Sequence, residues 1–504
     1  MFYLLKILTD NFQRKYSMGK KSKLARKSIG KVYTPKQVVT TILDLVGYNG
    51  AHIIGKNIID NSCGDGQFLI EIAKRYCEEC LKLNKSNDEI QSLLEANIYG
   101  IEINQEEKQK CINNLNNVIK DLGLNIIVNW NVICANTLTV SKYNKKMDYV
   151  VGNPPYVRIH NITDVDLIKR YAFSQDGMTD LYIPFFEIGI NMLNDTGRLG
   201  YITPNSYFNS NAAATMRKTF LKKKLLTKII DYKHKQLFNA TTYTAITVLD
   251  KNNMLEQVEY YEFDDILNKI IKIEDLNYND FYIENNFYFS NENNLSILKR
   301  IKKAKNSYYN LEVKNGFATL ADKVFIGNFG FSNYCIPIIK ASTGKKYTCI
   351  YPYIDGKLIN EEILEKTKDL YEYLKKNKEL LSARSLDKRT SWYAFGRSQG
   401  ILDTLKNKYS INNLIKQKSD IKLLRCPKGV GVYSGLYIIT ELDEEVLKEF
   451  IVSDSFIKYI SLLGKYKSGG YYTFSSKELK KYLEFKCLER FGSKDEQLRV
   501  FASH

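Results

Sequence analysis

The chain has 504 residues, 44% of them hydrophobic and 12% aromatic, enough for two or more domains with cores of their own. Its 74 Lys and Arg outweigh 56 Asp and Glu, a net charge of +18 that fits a polyanionic partner as well as a lysine-rich background composition. No apolar run approaches the ~20 residues of a membrane span, and the opening "MFYLLKILTDNFQRKYSMGKKSK" is too short and polar for a signal peptide. A cytoplasmic protein is expected, starting at Met1 or Met18.

Residues 1–30 read as a basic extension. From about Asn57 to Lys251 short apolar strands alternate with longer helical patterns. "NIIDN" is a strand and "QFLIEIAKRYCEECL" a helix. "NIYGIEI" is a second strand, "QEEKQKCINNLNNVIKDL" a second helix, and "NIIVNWNVI" and "MDYVVGN" are further strands. The helix "DLYIPFFEIGINML" and the strands "GRLGYITP", "LTKIIDY" and "TAITVLD" complete the series. The alternation predicts a doubly wound, Rossmann-like α/β sheet with helices on both faces. After about residue 255 the rhythm breaks, and a mixed α+β region follows. The spacing places one domain at 31–285 and a second at 286–504.

Nine cysteines and four histidines make no metal pattern. Cys77 and Cys80 form one CxxC inside a helical stretch without a second pair, so no metal is expected.

In "NIIDNSCGDGQF", Gly64 and Gly66 stand between a strand and a helix, where small residues let backbone approach a ligand. Strand two ends in Glu102, placed to accept hydrogen bonds from both hydroxyls of a ribose. An adenosine-bearing cofactor follows. The sixth position of the glycine pattern is Leu69, which suits S-adenosylmethionine better than NAD. Asn136, after the third strand, reads equally as an adenine contact and as a loop cap.

The stretch "DYVVGNPPYVRI" ends a strand in two prolines, which remove two donors and fix two φ angles. This delivers Asn153 to the carboxyl edge of the sheet. The Asn153 side-chain oxygen and the Pro154 carbonyl can both accept from one planar NH2 group, with Pro155 stiffening the turn. Holding both N–H bonds of an exocyclic amine favours a pyramidal nitrogen whose lone pair faces a methyl donor. Tyr156 supplies a surface on which a base can stack.

With these motifs in order, the chain resembles the gamma-class N6-adenine DNA methyltransferases of restriction–modification systems, specifically those with a TaqI-like C-terminal specificity domain. "VYTPKQVV" matches that family's N-terminal element, "DNSCGDGQF" its cofactor loop and "GNPPYV" its catalytic motif. "DLYIPFFEIGINML", "GRLGYITPNSYF" and "QLFNATTYTAITVL" follow in the family's order. The resemblance implies Asn153, Pro154, Pro155 and Tyr156 as the catalytic motif. It implies Thr34, Asp60, Ser62, Gly64, Gly66, Glu102, Ile103 and Asn136 around S-adenosylmethionine. Thr34 would contact the methionine part, and Phe238 would be the second face for a flipped adenine. Asn136 departs from the Asp frequent in the family. Double-stranded DNA is the implied partner, with room for a separate restriction endonuclease, and a monomer or weak dimer is expected. Two other readings stay open: an RNA or protein-glutamine N-methyltransferase, and a DNA-binding subunit with an inactive catalytic domain.

In the second half, Lys406, Lys408, Lys416, Lys418, Lys422, Arg425 and Lys428 face one acid, Asp420, between Leu405 and Gly429. Lysines of this run suit phosphates, while Arg and Gln side chains suit base edges. The resemblance makes this half a target-recognition domain, and "WYAFGRSQG" adds Arg397 and Gln399 to the DNA-binding candidates, with Lys416, Lys418, Lys422 and Arg425. "STGKKY" lacks the glycine spacing of a Walker A loop, and no PD…(D/E)xK nuclease pattern is present.

Overall fold

A run such as Ile58–Asp60, buried at every position, suits only the middle of a sheet covered on both sides. In a computed structural model of the protein, which describes residues 34–162, 165–238, 242–305, 310–331, 333–386 and 390–492, that is where it lies. The basic extension and both start methionines fall outside these residues.

Among the described residues nine strands form one sheet. They are β1 (Ile58–Asp60), β2 (Ile98–Glu102), β3 (Asn131–Cys134), β4 (Met147–Gly152), β5 (Leu193–Pro204), β6 (Leu226–Asp231), β7 (Thr244–Asp250), β8 (Gln257–Asp264) and β9 (Lys269–Asn277). Their order is β3-β2-β1-β4-β5-β7-β6-β8-β9. The first five neighbours run parallel, and β7 is antiparallel to both β5 and β6.

Alternation along β5 shows that both faces are covered. Gly200 lies against Val46 and Ile42, at the end of helix α1 (Lys36–Leu45). On the opposite face the Tyr201 ring meets Phe186 at 5.3 Å, in a helix that buries nearly its whole circumference. Helices α2 (Gln67–Lys82) and α3 (Gln105–Asp121) share the α1 side. α2 buries Phe68, Leu69, Ile72, Ala73 and Tyr76 at helical spacing. α3 buries Glu107, Cys111, Leu115 and Ile119, each four residues from the last. On the far side stand α4 (Tyr182–Met192) and α5 (Ala214–Lys222).

Two expectations need correction. "NIIVNWNVI" pairs only from Asn131, because Trp130 is anchored by its indole N–H to Asn116 Oδ1 at 2.8 Å instead of joining the ladder. The sheet also does not end near residue 255. β8 and β9 extend it as a hairpin whose outward positions carry charges, among them the pair Lys272–Asp275 at 2.8 Å. Those charges hide the apolar alternation of an edge strand.

The chain divides into compact units between Leu295 and Ser296, beyond the expected 285. Arg217, almost wholly buried, holds the segment around 285 to the first unit. It donates to the carbonyls of Tyr207 (2.7 Å), Ser210 (2.7 Å) and Asn285 (2.9 Å), and to Asn286 Oδ1 (3.3 Å). The second unit contains two four-stranded sheets. One comprises Glu312–Asn315, Leu436–Ile439, Lys408–Ile411 and Leu423–Cys426, and the other Ile326–Gly327, Lys345–Ile350, Cys335–Lys340 and Gly431–Tyr433. Phe317 stacks on Phe395 at 4.8 Å in the core of this unit.

Replacing Arg217 by Met keeps an unbranched apolar stem and removes every donor, leaving the carbonyls of Tyr207, Ser210 and Asn285 without this partner. A loss of ~3 kcal/mol or more is expected, read as a lowered midpoint in chemical denaturation. A midpoint equal to wild type would show that the clamp contributes nothing.

Candidate functional site

β1 and β4 are parallel neighbours, Asp60 pairing with Val151, and β2 lies on the other side of β1. The chain therefore leaves β1 in one direction and returns on the other side as β4, opening a crevice at the carboxyl edge where open α/β sheets bind ligands. A cavity of about 450 Å³ fills it.

Its walls are stitched by short polar contacts. β4 ends in Gly152, at φ +151°, where an added Cβ would stand 2.7 Å from Asp60 Oδ1. That oxygen accepts from Ser62 N–H at 2.9 Å, and the Ser62 hydroxyl donates to the Asn153 carbonyl at 3.4 Å. The Asn153 amide nitrogen donates to Thr34 Oγ1 at 3.1 Å. Glu102 ties the glycine turn to its own loop, one carboxylate oxygen accepting from Gly64 N–H at 2.9 Å and the other from Asn104 N–H at 2.8 Å.

Of the sequence candidates, Thr34, Asp60, Ser62, Gly64, Glu102, Ile103, Asn136, Asn153 and Pro155 line this one cavity. Ile103 is 63% exposed at its rim. Asn136 is a loop cap, its side chain accepting from Leu138 N–H at 3.0 Å, on a residue that also lines the cavity. Gly66 is outside the lining. It caps α2 at φ +95°, where a Cβ would meet Cys111 Sγ at 2.7 Å, so its glycine serves helix packing rather than ligand approach. Pro154 and Tyr156 are not among the lining residues either. The Tyr156 hydroxyl donates to the Ile202 carbonyl at 3.2 Å, and its ring meets Phe238 edge-on, with centroids 6.2 Å apart and planes at 74°. The two rings are not parallel, so the expected slot for a flat base is not formed in this conformation.

Two acids escaped the sequence reading, Asp65 and Glu107, both lining the cavity. Asp65 stands inside the quoted glycine turn, and Glu107 is a buried acid at the start of α3, bridged to Lys110 at 2.9 Å. With Asp60 and Glu102 they bring four carboxyls to the cavity, and among the described residues no Lys, Arg or His lines it. Burial pushes the Asp60 carboxyl up from 3.8 to about 7, against the pull of the Ser62 N–H. Cys63 also lines the cavity, but its hydrogen bond with Cys111 and its burial hold it as a thiol, far above the usual range.

The candidates in the second unit scatter. Arg397 donates to the carbonyls of Ser385 (3.0 Å) and Gly396 (2.6 Å), and Gln399 to that of Gly316 (3.4 Å), so both tie loops together. Lys418 pairs with Asp454 at 2.9 Å. Lys416, Lys422 and Arg425 are exposed. Lys408 is buried, donating to the carbonyls of Asp403 and Lys406, and burial lowers it to about 8. It therefore leaves the expected phosphate-binding run.

A mostly parallel sheet with two reversed strands, β7 and β9, and a cavity at the turn of its order that joins a glycine loop to an Asn-Pro edge, define a Rossmann-like α/β domain. Residues 62–238 match the Eco57I restriction-modification methylase family. The type II methyltransferase M.BstVI of Geobacillus stearothermophilus is 31% identical over 238 residues, covering 44% of this chain and 42% of that protein. The type II restriction enzyme and methyltransferase RM.Eco57I of Escherichia coli is 25% identical over 290 residues, 46% of this chain and 29% of that protein. The chain thus spans less than half the length of these two relatives. In fold it is similar to the type IIL restriction-modification enzyme MmeI, solved in complex with DNA, with a TM-score of 0.60 at 13% identity over 93% of this chain and 72% of that one.

The Asp60 assignment has a pH signature. Unfolded, this carboxyl loses its proton near 3.8; folded, it keeps it to about 7. The native state binds more protons in between, so this residue lowers stability progressively as pH rises through that window, and levels off above it. Denaturation midpoints of Asp60→Asn and wild type, compared from pH 4 to 8, should show the variant gaining on wild type up to about pH 7. A constant difference would place the carboxyl in water.

Proposed function

We propose that the protein is an S-adenosylmethionine-dependent DNA methyltransferase acting on the N6 amine of an adenine flipped from the duplex. One observation carries the reading: Gly64 of the glycine turn, Glu102, Asn153 and Pro155 line a single cavity, so a cofactor held by the first two and an amine held at Asn153 meet in one space.

The charge of the walls supports this cofactor. S-adenosylmethionine supplies an activated methyl group on a positively charged sulfonium. A cavity with four carboxyls and no cationic side chain suits that charge, whereas a dinucleotide would set its phosphates among acids. Glu102, Gly64 and Ile103 are the residues to hold the adenosine, with Thr34 and Asp60 toward the methionine.

Asn153 and the Pro154 carbonyl accept the two N–H bonds of the target amine. The amine brings its own lone pair to the methyl group, whose bond to the sulfonium sulfur would break as S-adenosylhomocysteine leaves. The extra proton would pass from the nitrogen to water, so no activated nucleophile on the protein is required. Cys63, held as a thiol, offers none for attack on a cytosine ring. The amine of a paired base is buried, so the base must leave the stack at a cost of a few kcal/mol, offset by contacts in the pocket. Tyr156 and Phe238 are the rings for this, and Phe238 must swing from its edge-on contact to make a parallel pair. The motif order set out above selects adenine over cytosine and DNA over RNA or protein. Modification within a restriction–modification system is the matching role, with a nuclease, if separate, as a second component.

The test is to incubate the full chain with DNA and S-adenosylmethionine and digest the product to nucleosides for mass spectrometry. N6-methyldeoxyadenosine is expected; methylated cytosine, or no transfer to DNA, contradicts the proposal. Asn153→Ala should lose at least a hundredfold in rate, about 2.7 kcal/mol or more, while calorimetry shows cofactor affinity within a few-fold of wild type. Normal turnover would remove Asn153 from the reaction.

A further inference from the structure

An acidic chamber that admits a neutral base repels the phosphates attached to it, so a DNA partner must be gripped elsewhere. In a chain with 56 acidic residues among 504, residues 323–354 and 421–440 carry none. The fold sets these two stretches side by side. Strand Cys335–Lys340 runs parallel to Gly431–Tyr433, with Ile338 opposite Gly431 and Lys340 opposite Tyr433. The turn of the hairpin that continues into Lys345–Ile350 leans on the other stretch as well. An added Cβ at Gly344 would stand 3.3 Å from Leu424 Cδ1 and 3.5 Å from Lys422 Cδ, and the Ser342 and Ser434 hydroxyls lie 3.2 Å apart.

The hairpin tip therefore collects Lys340, Lys345 and Lys346, with Lys422 beside it. Lys340 and Lys345 are direct partners across the ladder, a like-charge pairing that costs stability. Among the described residues none of these four makes an ion pair, whereas Lys314 and Lys406 pair with Asp403 and Lys418 pairs with Asp454. Lys345, Lys346 and Lys422 are exposed, as are Ser342 and Thr343 between the two strands. Repelling cations held together without a counter-charge, on a turn rich in hydroxyls, match a row of phosphates.

We propose that the tip of hairpin 335–350, together with Lys422, is a contact for the phosphate backbone of duplex DNA. This rests on the DNA reading above and names a surface on which that reading depends. The contact carries no base information; it raises affinity for any sequence and does so through counterion release.

The test measures binding of the full chain to a mixed-sequence duplex longer than its footprint, by fluorescence anisotropy from 50 to 200 mM salt. Each phosphate contact contributes about 0.9 to the slope of log affinity against log salt. The triple variant K345Q/K346Q/K422Q should lose roughly two to three units of slope and bind about tenfold or more weakly, with cofactor affinity unchanged and a melting temperature no lower than that of wild type. The singles K345Q, K346Q and K422Q should each lose about one unit. K345R/K346R/K422R should restore binding, and K418Q, which removes an already paired charge, should change little. Wild-type affinity and slope in the glutamine variants would overturn the proposal and leave the patch to an acidic protein. Failure of the wild-type chain itself to bind or methylate DNA would instead bring down the reading on which it rests.

Discussion

Everything at the candidate site depends on one topological constraint, the reversal of strand order between β2, β1 and β4. Because β1 has a connection leaving to one side and a strand arriving on the other, its carboxyl end stands over a gap that no crossover covers. The backbone has to close on itself there. Gly152 lets β4 pass within contact of the Asp60 carboxyl, and Ser62 ties the two loops together. Asn153 is thereby held at the rim of the same space that Glu102 reaches from β2. The Asn153 edge and the Glu102 edge become neighbours although they stand 51 positions apart in the sequence.

Charge is distributed to match. The chain as a whole is strongly basic, yet among the described residues four carboxyls and no cation line the cavity. The cations lie outside it, and many of them are matched locally in pairs such as Lys110–Glu107 and Lys418–Asp454. Four lysines of the second unit without an ion pair among the described residues, Lys340, Lys345, Lys346 and Lys422, gather where two acid-free stretches meet. Net charge alone could not separate a polyanion-binding protein from a lysine-rich one; its pairing pattern favours the first.

The residues legible from sequence were those whose chemistry is set by backbone position. An acid at the tip of strand two and an amide before two prolines must both stand at the carboxyl edge once the strands are assigned, and Glu102 and Asn153 do. A glycine is less informative, because Gly66 is required by its φ and by Cys111 rather than by a ligand. Asp65 and Glu107 passed unnoticed because acids near a helix N-terminus are ordinary. The basic run 405–429 looked continuous only as text. Strand alternation turns Leu424 and Cys426 toward the hairpin and Arg425 toward Tyr409, while Lys408 disappears into the core. Conversely, "STGKKY" was noticed only as a failed phosphate loop, and its importance depends on Lys422, which the fold brings beside it. The sheet beyond residue 255 was obscured for a related reason: surface charges on β8 and β9 interrupt the apolar pattern that marks a strand.

The account stands or falls on whether one chamber holds both the methyl donor and the amine. The direct measurement is a structure of the full chain with S-adenosylhomocysteine and a methylatable duplex. The account predicts the cofactor against Gly64 and Glu102, and a flipped adenine whose N6 lies within hydrogen-bond reach, ~3 Å, of the Asn153 side-chain oxygen and the Pro154 carbonyl, with Phe238 turned flat against the base. A cofactor in the cavity with the base stacked in its duplex, or seated away from Asn153, would contradict it.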